Sequence, residues 1–303
     1  MKKGAYAPFF VFPDFRLIIH YMKVLLFGST GLLGSSVYEE LIERGFSVLA
    51  PRRENVDLND HVHLEDYLRN LNFDILINTA ACSRTDYCED HQDECFRVNW
   101  IAPLVMHRIA KNKGALFIHF STDYVLDGKK KEYFEEDPIS PISVYGFSKA
   151  YAENSIMRLG GDYYIIRTSL LYKENGTNFL SLIPRKILQE EEILCTGNIK
   201  SAPTYVPYLA KATLKLVELN LPFGIYHISG GYPMTACEFI KTYEKIIGKK
   251  AILKEVMEEE MNRKAKRPKS SFLNNFKFVS LSGFAPEHPK IYMRRIYESI
   301  SRK

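Results

Sequence analysis

Three residues between Thr122 and Lys149 have the types and spacing of a proton-transfer site. Tyr145 and Lys149 are four residues apart, which places both side chains on one face of a helix. We expect the lysine cation to lower the pKa of the phenol, which can then exchange a proton with a carbonyl or alcohol oxygen. Thr122, at the end of an apolar run, could polarise the same oxygen. A Tyr-x-x-x-Lys pair is usually a surface pair, so a catalytic role is indicated only if the neighbouring motifs also support it.

A glycine-rich turn supplies part of that context. Gly28, Gly31 and Gly34 follow a short apolar run and precede a helical pattern. This arrangement permits a tight turn, a close approach of the backbone to a pyrophosphate, and close packing of the helix on a sheet. The helix N-terminus would stabilise the phosphates. An ordinary turn is the alternative, but the strand–turn–helix context favours nucleotide binding.

The residues after the next two apolar runs could contact the rest of a dinucleotide. Arg52 and Arg53 stand where an acidic residue would bind the ribose of NAD, and their guanidiniums suit a 2′-phosphate. The sequence therefore favours NADPH, with NADH as an alternative; an exposed basic turn is the other interpretation. The pair 57–58 could flank the adenine. The small side chains at 80–82 suit backbone beside a cofactor, or a tight strand exit.

These residues follow apolar runs that alternate with helical patterns, which is typical of βαβ units. Strands are predicted over 23–27, 46–50, 73–78, 115–121 and 163–169. Helices are predicted over about 32–44, 61–71, 93–111 and 143–159. The second half is less regular, with helices over about 178–189, 205–219 and 235–247 and strands over 193–196, 225–229 and 251–256.

The predicted fold class is α/β, with a doubly wound parallel sheet of the Rossmann-like, NAD(P)-binding type and a smaller C-terminal substrate lobe. The dinucleotide-binding domain would comprise residues 22–168 plus about 205–229. The substrate-binding lobe would comprise about 169–204 plus 230–303. Residues 1–21 form an N-terminal extension, because the regular pattern begins only at Met22.

Composition excludes several other classes of protein. The 303 residues are 46% hydrophobic and carry a net charge of +5, values typical of globular proteins rather than disordered or collagen-like chains. The charge is spread along the chain, so nucleic acid is not an expected partner, and the basic run 263–269 fits a solvated or ligand-facing loop. Five cysteines without a Cys-x-x-Cys pair suggest reduced thiols, a cytoplasmic location and no bound metal.

The extension 1–21 resembles a signal peptide because it is apolar and begins with Lys2 and Lys3. However, Pro13, Asp14 and Arg16 interrupt its apolar stretch, which is shorter than the roughly 20 residues of a membrane span. We therefore expect no membrane association. The extension is interpreted as the product of an early start codon, with a peripheral apolar arm as the alternative.

The motifs together resemble the dTDP-4-dehydrorhamnose reductase family of extended short-chain dehydrogenases/reductases. The matching stretches keep their order along the chain: LLFGSTGLLG (25–34), INTAA (77–81), HFSTDYV (119–125), EEDPISPISVYGFSKAYAE (135–153), IIRTSLLY (165–172), TNF (177–179), SAPT (201–204) and RPKSSFLN (267–274). The resemblance implies a catalytic role for Thr122, Tyr145 and Lys149. With the arguments above, the expected cofactor contacts are Gly28, Thr30, Gly31, Leu32, Leu33, Arg52, Arg53, Asp57, Leu58, Ala80, Ala81, Cys82, Tyr145 and Lys149. The expected substrate contacts are Thr122, Asp123, Tyr124, Leu170, Thr204 and Arg267.

Three positions depart from the family pattern. Leu170 replaces a tryptophan near the sugar, and Cys82 replaces a histidine beside the cofactor. Ser36 stands where some bacterial members have a glutamate that binds Mg²⁺, so this metal is not expected. Arg267 is the candidate for the diphosphate of the substrate, and its alternative interpretation is a solvated charge.

The resemblance implies NADPH-dependent reduction of the 4-keto group of a nucleotide-linked 6-deoxy sugar, with conversion of dTDP-4-dehydrorhamnose to dTDP-L-rhamnose as the first hypothesis. A reductase or epimerase for another nucleotide sugar is the second. A non-catalytic NADP-binding regulatory subunit, like that of methionine adenosyltransferase, is the third, although Tyr145 and Lys149 are both present. The partner expected is the nucleotide sugar, and a homodimer is considered.

Overall fold

A computed structural model describes residues 22–302 of the chain. The predicted extension 1–21 therefore lies outside the described residues, and its interpretation stays a prediction. Within 22–302 no helix combines the length and apolar character that crossing a bilayer requires.

A six-stranded parallel sheet forms the centre of the molecule. Its strands and those of two smaller sheets are β1 Lys23–Phe27, β2 Ser47–Leu49, β3 Ile75–Asn78, β4 Leu116–Thr122, β5 Tyr163–Thr168, β6 Leu171–Tyr172, β7 Glu192–Thr196, β8 Thr204–Tyr205, β9 Gly224–His227 and β10 Ile252–Val256. The strand order of the large sheet is β2-β1-β3-β4-β5-β9. The chain crosses from one side of β1 to the other after β2, so the carboxyl ends of β1 and β3 border a topological switch point. The predicted doubly wound parallel sheet is confirmed.

Helices cover both faces of the sheet. They are α1 Leu32–Glu43, α2 His61–Arg69, α3 Thr85–Asp90, α4 Gln92–Phe96, α5 Ala102–Asn112, α6 Val144–Leu159, α7 Phe179–Leu188, α8 Val206–Glu218, α9 Ala236–Ile247, α10 Phe276–Ser282 and α11 Pro289–Ser301. Short 3₁₀ turns occupy Asp123–Val125 and Glu258–Met261. A π-helical turn, Arg97–Ile101, joins α4 to α5.

The strands form the core by alternating their side chains between the two faces. Val24 and Leu26 of β1 belong to one buried apolar cluster, which includes residues of α1 and α8. Leu25 and Phe27 belong to a second cluster, which includes residues of α2 and α5. Because both faces are covered, the strands read as continuous apolar runs, which is why the sequence pattern located them.

Two small parallel sheets lie in the C-terminal half, where β10 pairs with β7 and β6 pairs with β8. Strand β9 pairs with β5 and completes the large sheet, so the segment 205–229 contributes to it as expected. The exact division into two domains stays a prediction.

The structure corrects two expectations about this architecture. The single helix predicted over 93–111 is divided into α4, the π-helical turn and α5, and α3 was not predicted. Cys195 of β7 and Cys237 of α9 form a disulfide, so the expectation of five reduced thiols was wrong. These residues are 42 positions apart but their Cα atoms are 5.3 Å apart, a proximity that only the tertiary fold creates.

Candidate functional site

The glycine turn after β1 brings the start of α1 close to the backbone at the end of β1, as the sequence predicted. Gly28 has a φ of +81°, a conformation that disfavours other residues. A Cβ atom at Gly34 would lie 2.0 Å from the carbonyl oxygen of Gly28, so only glycine lets α1 begin this close to β1. No side chain caps the N-terminus of α1, where Gly31 is the N-cap residue. Its free N–H groups can therefore bind an anion.

A cavity of about 400 Å³ lies beside this turn, along the carboxyl ends of β1, β2 and β3. Nine predicted cofactor residues line it: Gly28, Thr30, Arg52, Arg53, Asp57, Leu58, Ala80, Ala81 and Cys82. Its lining also includes Ser29, Arg84 and Glu94, which the sequence analysis did not select. The predicted contacts Gly31, Leu32, Leu33, Tyr145 and Lys149 are not among the residues that line this cavity.

The two arginines of the cavity rim are available for a ligand. Arg52 and Arg53 are exposed, and Arg53 has one long ion pair of 3.5 Å with Asp57. Asp57 keeps a lowered pKa, chiefly because the backbone N–H of Asn59 donates a hydrogen bond to it. Two guanidiniums at the rim of this cavity can form charge-assisted hydrogen bonds with a phosphate group.

The predicted catalytic residues come together at the end of β4. Thr122 is the last residue of β4, and Tyr145 is in the first turn of α6, whose N-terminus is capped by Ser143. The Thr122 hydroxyl donates a hydrogen bond to Asp123 Oδ1 at 3.1 Å and lies close enough to the Tyr145 phenol to influence its pKa. The ring of Tyr124 packs edge-on against that of Tyr145, with centroids 5.6 Å apart.

One expectation about Tyr145 was wrong. The pKa of its phenol is raised above the usual value rather than lowered, because burial disfavours the phenolate and the nearby Asp123 opposes it further. The Thr122 side chain lowers the pKa of the phenol but does not compensate for these effects. A phenol with a raised pKa remains protonated at neutral pH, which is the form that can donate a proton.

Lys149 is buried against His119, which was not among the predicted site residues. Its Nζ lies 3.0 Å from Nε2 of His119, and Nδ1 of the same ring lies 3.3 Å from Nδ2 of Asn78. Burial lowers the pKa of Lys149 to about 8, and burial together with the lysine charge lowers the pKa of His119 well below its usual value. The imidazole is therefore neutral and fixes the position of the lysine. A histidine in a mostly apolar strand, two residues before Ser121, is the feature of the sequence that could have indicated this role.

Asn99 connects the cofactor cavity to the catalytic helix. Its side chain is fully buried, accepts a hydrogen bond from the N–H of Cys82 at 2.8 Å and donates one to the carbonyl of Cys82 at 3.0 Å. Its amide also reaches Ser148 Oγ at 3.0 Å, one residue before Lys149. Asn99 lies in the π-helical turn, a distortion often found at functional sites. Sequence periodicity gave no sign of it.

A buried ion pair holds α6, the helix that carries Tyr145 and Lys149, against the sheet. Glu153 and Arg167 are at most 1% exposed and join at 2.7 Å. Ser121 donates a hydrogen bond to Glu153, and the Arg167 guanidinium also contacts His227 Nε2 at 3.3 Å. Because Glu153 is on α6 and Arg167 is on β5, the pair fixes the helix to the sheet.

A second cavity of about 240 Å³ adjoins the catalytic residues. Its lining includes four predicted substrate contacts, Asp123, Tyr124, Leu170 and Arg267, together with Arg263. Burial raises the pKa of Asp123 to about 6, and Ser271 donates a hydrogen bond of 2.5 Å to it. Leu170 is 43% exposed and has a φ of +25°, an unusual conformation for a residue other than glycine.

The other predicted substrate residues differ in their surroundings. Arg267 ion-pairs with Glu258 at 3.3 Å and Asp86 at 3.6 Å, so it is not simply a solvated charge. Thr204 is fully buried; it donates a hydrogen bond to Ala202 O and accepts one from Gly230 N. Its predicted substrate contact does not fit this position, where both capacities of the hydroxyl are used within the fold.

Comparison with known proteins gives a consistent result. A family model described as RmlD substrate binding domain matches residues 22–301. The spore coat polysaccharide biosynthesis protein SpsK of Bacillus subtilis is 30% identical over 280 residues, which cover 92% of this chain and 98% of that protein. A dTDP-4-dehydrorhamnose reductase of Burkholderia thailandensis is 33% identical over 217 residues, covering 69% of this chain and 72% of that protein. The structure of dTDP-4-dehydrorhamnose reductase from Bacillus anthracis in complex with NADP has a TM-score of 0.85 at 28% identity, covering 92% of this chain and 99% of that one.

Proposed function

Because the chain belongs to the RmlD substrate binding domain family, we propose that it reduces the 4-keto group of a nucleotide-linked 6-deoxy sugar with NADPH. The chain is an oxidoreductase, as its reductase relatives indicate. The preferred substrate is dTDP-4-dehydrorhamnose, and the product is dTDP-L-rhamnose. The observation that carries this proposal is the contact of Tyr145 with the ring of Tyr124, which lines the second cavity together with Asp123, the residue after Thr122.

The cofactor cavity fits a dinucleotide phosphate. The uncapped N-terminus of α1 would bind the pyrophosphate, and Arg52 and Arg53 would bind the 2′-phosphate. When bound, NADPH would supply the hydride. The small side chains of Ala80 and Ala81 would let the nicotinamide ring lie close to the backbone. Asn99 fixes the adjacent Cys82 peptide. NADH is the weaker candidate because no acidic residue lies where β2 ends.

The catalytic residues would act on the oxygen of the sugar. Tyr145 donates its proton to the oxygen that becomes a hydroxyl, and Thr122 hydrogen-bonds the same atom and orients it. Lys149, held by His119, supplies positive charge near the phenol when the tyrosinate forms. Thus the raised pKa keeps Tyr145 protonated before the reaction, and Lys149 would stabilise the tyrosinate that forms when the proton is transferred.

The second cavity would hold the nucleotide sugar. Arg263 and Arg267 both ion-pair with Glu258 and line the cavity, so a diphosphate could compete for either guanidinium. Leu170 provides an apolar surface in this cavity where the family commonly has tryptophan. This substitution supports the second candidate, a reductase for a different nucleotide sugar.

A substrate panel tests the proposal directly. Purified full-length chain is assayed with several 4-keto nucleotide sugars, using NADPH and NADH in parallel, and product is identified by mass spectrometry. We expect net NADPH consumption with a dTDP-4-keto-6-deoxy sugar. An epimerase would convert substrate without consuming cofactor, and a regulatory subunit would bind NADP without turnover; either result would overturn the proposal.

A matched pair of tyrosine variants tests the proton donor. Tyr145→Phe should lower kcat by about 100-fold or more, the usual contribution of a general acid. Tyr151→Phe is the control, because Tyr151 lies on the same helix, is 48% exposed and loses the same hydroxyl. Equal activities of the two variants would contradict the assigned role.

A further inference from the structure

Three cysteines from three consecutive segments of the chain meet beside the cofactor cavity. The sulfur atoms of Cys82, Cys88 and Cys95 all lie within 4.8 Å of one another, and those of Cys82 and Cys88 are 3.7 Å apart. Cys88 is on α3, Cys95 is on α4, and Cys82 follows β3. The spacing of these residues matches no common metal motif, which is why no metal was predicted from the sequence.

The distances fit a single ion held by thiolates. Zinc–sulfur bonds are about 2.3 Å long, so the sulfurs of a tetrahedral zinc–thiolate site are about 3.8 Å apart. The Cys82–Cys88 distance already has this value, and Cys95 is within a small side-chain adjustment of it. Disulfide formation would instead require two sulfurs to approach to about 2.05 Å and would leave the third cysteine unpaired.

The surroundings of the three cysteines also fit a bound cation. Cys88 and Cys95 are fully buried, whereas Cys82 is partly exposed toward the cofactor cavity, which leaves room for a fourth ligand such as water. The amide of Asn99 donates a hydrogen bond to Cys95 Sγ at 3.3 Å. Hydrogen-bond donors of this type orient a thiolate ligand and stabilise its charge.

We propose that Cys82, Cys88 and Cys95 form a binding site for one thiophilic divalent cation, of which Zn²⁺ is the physiological candidate. Sulfur ligands favour such ions over Mg²⁺ or Ca²⁺. Cysteine binds such an ion as the thiolate, so metal binding releases protons and the affinity should increase with pH.

The ion would influence the cofactor site, a consequence that rests on the proposed function. Cys82 lines the cofactor cavity, and its peptide is bonded to Asn99. A metal that fixes the Cys82 side chain should therefore change the affinity for NADPH, and NADPH should change the affinity for the metal by the same factor. Because metal binding is measured without cofactor, failure of the metal site and failure of the proposed function are distinguishable.

The test uses Cd²⁺ and Zn²⁺ with the full-length protein, reduced by a phosphine and kept without oxygen. We expect one Cd²⁺ per chain, with ultraviolet sulfur-to-cadmium charge-transfer absorption of the size given by three thiolates. Zn²⁺ should displace it in competition with a chromophoric chelator. Absence of the absorption band, or a band of one thiolate, in the wild-type protein would overturn the proposal whatever the variants do.

Cysteine variants identify the ligands. Cys88→Ser and Cys95→Ser should each weaken Cd²⁺ binding at least about 100-fold, beyond the effect of losing an outer hydrogen-bond partner. The matched control is Cys195→Ala with Cys237→Ala, which removes the disulfide cysteines that reductant could expose and should keep full affinity. Circular dichroism checks that each variant is folded. Unchanged affinity in folded Cys88→Ser, or its loss in the control, would place the ion elsewhere.

Discussion

The charge of Lys149 depends on pH in a range that enzymes encounter. Burial lowers the pKa of this side chain from 10.5 to about 8, so the ammonium loses its proton as the pH rises through that value. The neutral imidazole of His119, 3.0 Å away, cannot replace the lost charge. The arrangement thus makes catalysis sensitive to alkaline pH through a group that is not the proton donor.

The first expectation concerns the pH profile of the reduction. With Lys149 protonated below its pKa, kcat/KM should be highest below about pH 8 and should decrease tenfold per pH unit above it. Lys149→Arg keeps the charge to higher pH, so any remaining activity should lose this alkaline decrease. Steady-state kinetics from pH 6 to pH 10 provide the measurement; profiles of the same shape for both proteins would contradict the argument.

The second expectation concerns cofactor preference. Replacing Arg52 and Arg53 by alanine removes charge-assisted hydrogen bonds worth about 1.5–3 kcal/mol, so the KM for NADPH should rise tenfold or more. The KM for NADH, which lacks the 2′-phosphate, should change little. Arg69→Ala is the control, since Arg69 is also exposed but pairs with Glu65 on α2. A similar increase for both cofactors would show that the arginines contact another part of the dinucleotide.

At the scale of elements, helix α6 carries catalytic residues on one face and a buried glutamate one turn further on. Glu153 follows Lys149 by four residues and pairs with Arg167 of β5, whose neighbour in the network is His227 of β9. Catalytic positioning and sheet packing therefore use the same helix. Loss of the arginine should move the helix as well as destabilise the fold.

The third expectation follows from this pair. Arg167→Met leaves Glu153 charged and buried without a partner, which should cost about 3–5 kcal/mol in the free energy of unfolding. Adding Glu153→Leu should recover much of that loss, because a buried apolar pair can replace an ionic one. Arg158→Met, at an exposed position on α6, should change stability by less than about 0.5 kcal/mol. Denaturant unfolding gives these values. If the effects of the two substitutions on the free energy of unfolding simply added in the double variant, Glu153 and Arg167 would not be energetically coupled.

Sequence alone located the elements of the sheet better than those around the thiols. The strands β1, β3, β4 and β5 are buried on both faces, and such segments have a continuous apolar signature. The division of 93–111 was not visible, because a π-helical turn keeps nearly helical periodicity while adding one residue to a turn. Asn99 lies in that turn, so its contacts with the Cys82 peptide could not be predicted.

For the whole molecule, contacts between distant segments decide what sequence patterns cannot show. The motifs predicted that Tyr145 and Lys149 share one helix, because their spacing is local to that helix. The pairing of Cys195 with Cys237 depends on how α9 packs beside β7, and the cluster of three free cysteines depends on how α3 and α4 pack beside the end of β3. The likeness of Thr204 to a family motif also failed to reveal that its hydroxyl is used within the fold.

The fourth expectation concerns the disulfide. A cross-link that closes a loop of this length stabilises a protein by about 2–4 kcal/mol, chiefly by restricting the unfolded chain. Cys195→Ala with Cys237→Ala should lower the free energy of unfolding by that amount in urea without reductant. Reductant should shift the wild-type curve toward that of the double variant and leave the variant unchanged. A wild-type curve insensitive to reductant would mean that the bond does not form in solution.

The same bond changes the covalent topology of the sheet. The ring that it closes contains α8 and β9, so one of the two edge strands of the large sheet lies inside a covalent loop. Leu219 and Phe223, in the connection between these two elements, are 45% and 47% exposed and offer a protease a site for cleavage. A single cut there would produce two fragments that migrate together on a non-reducing gel and separate only after reduction.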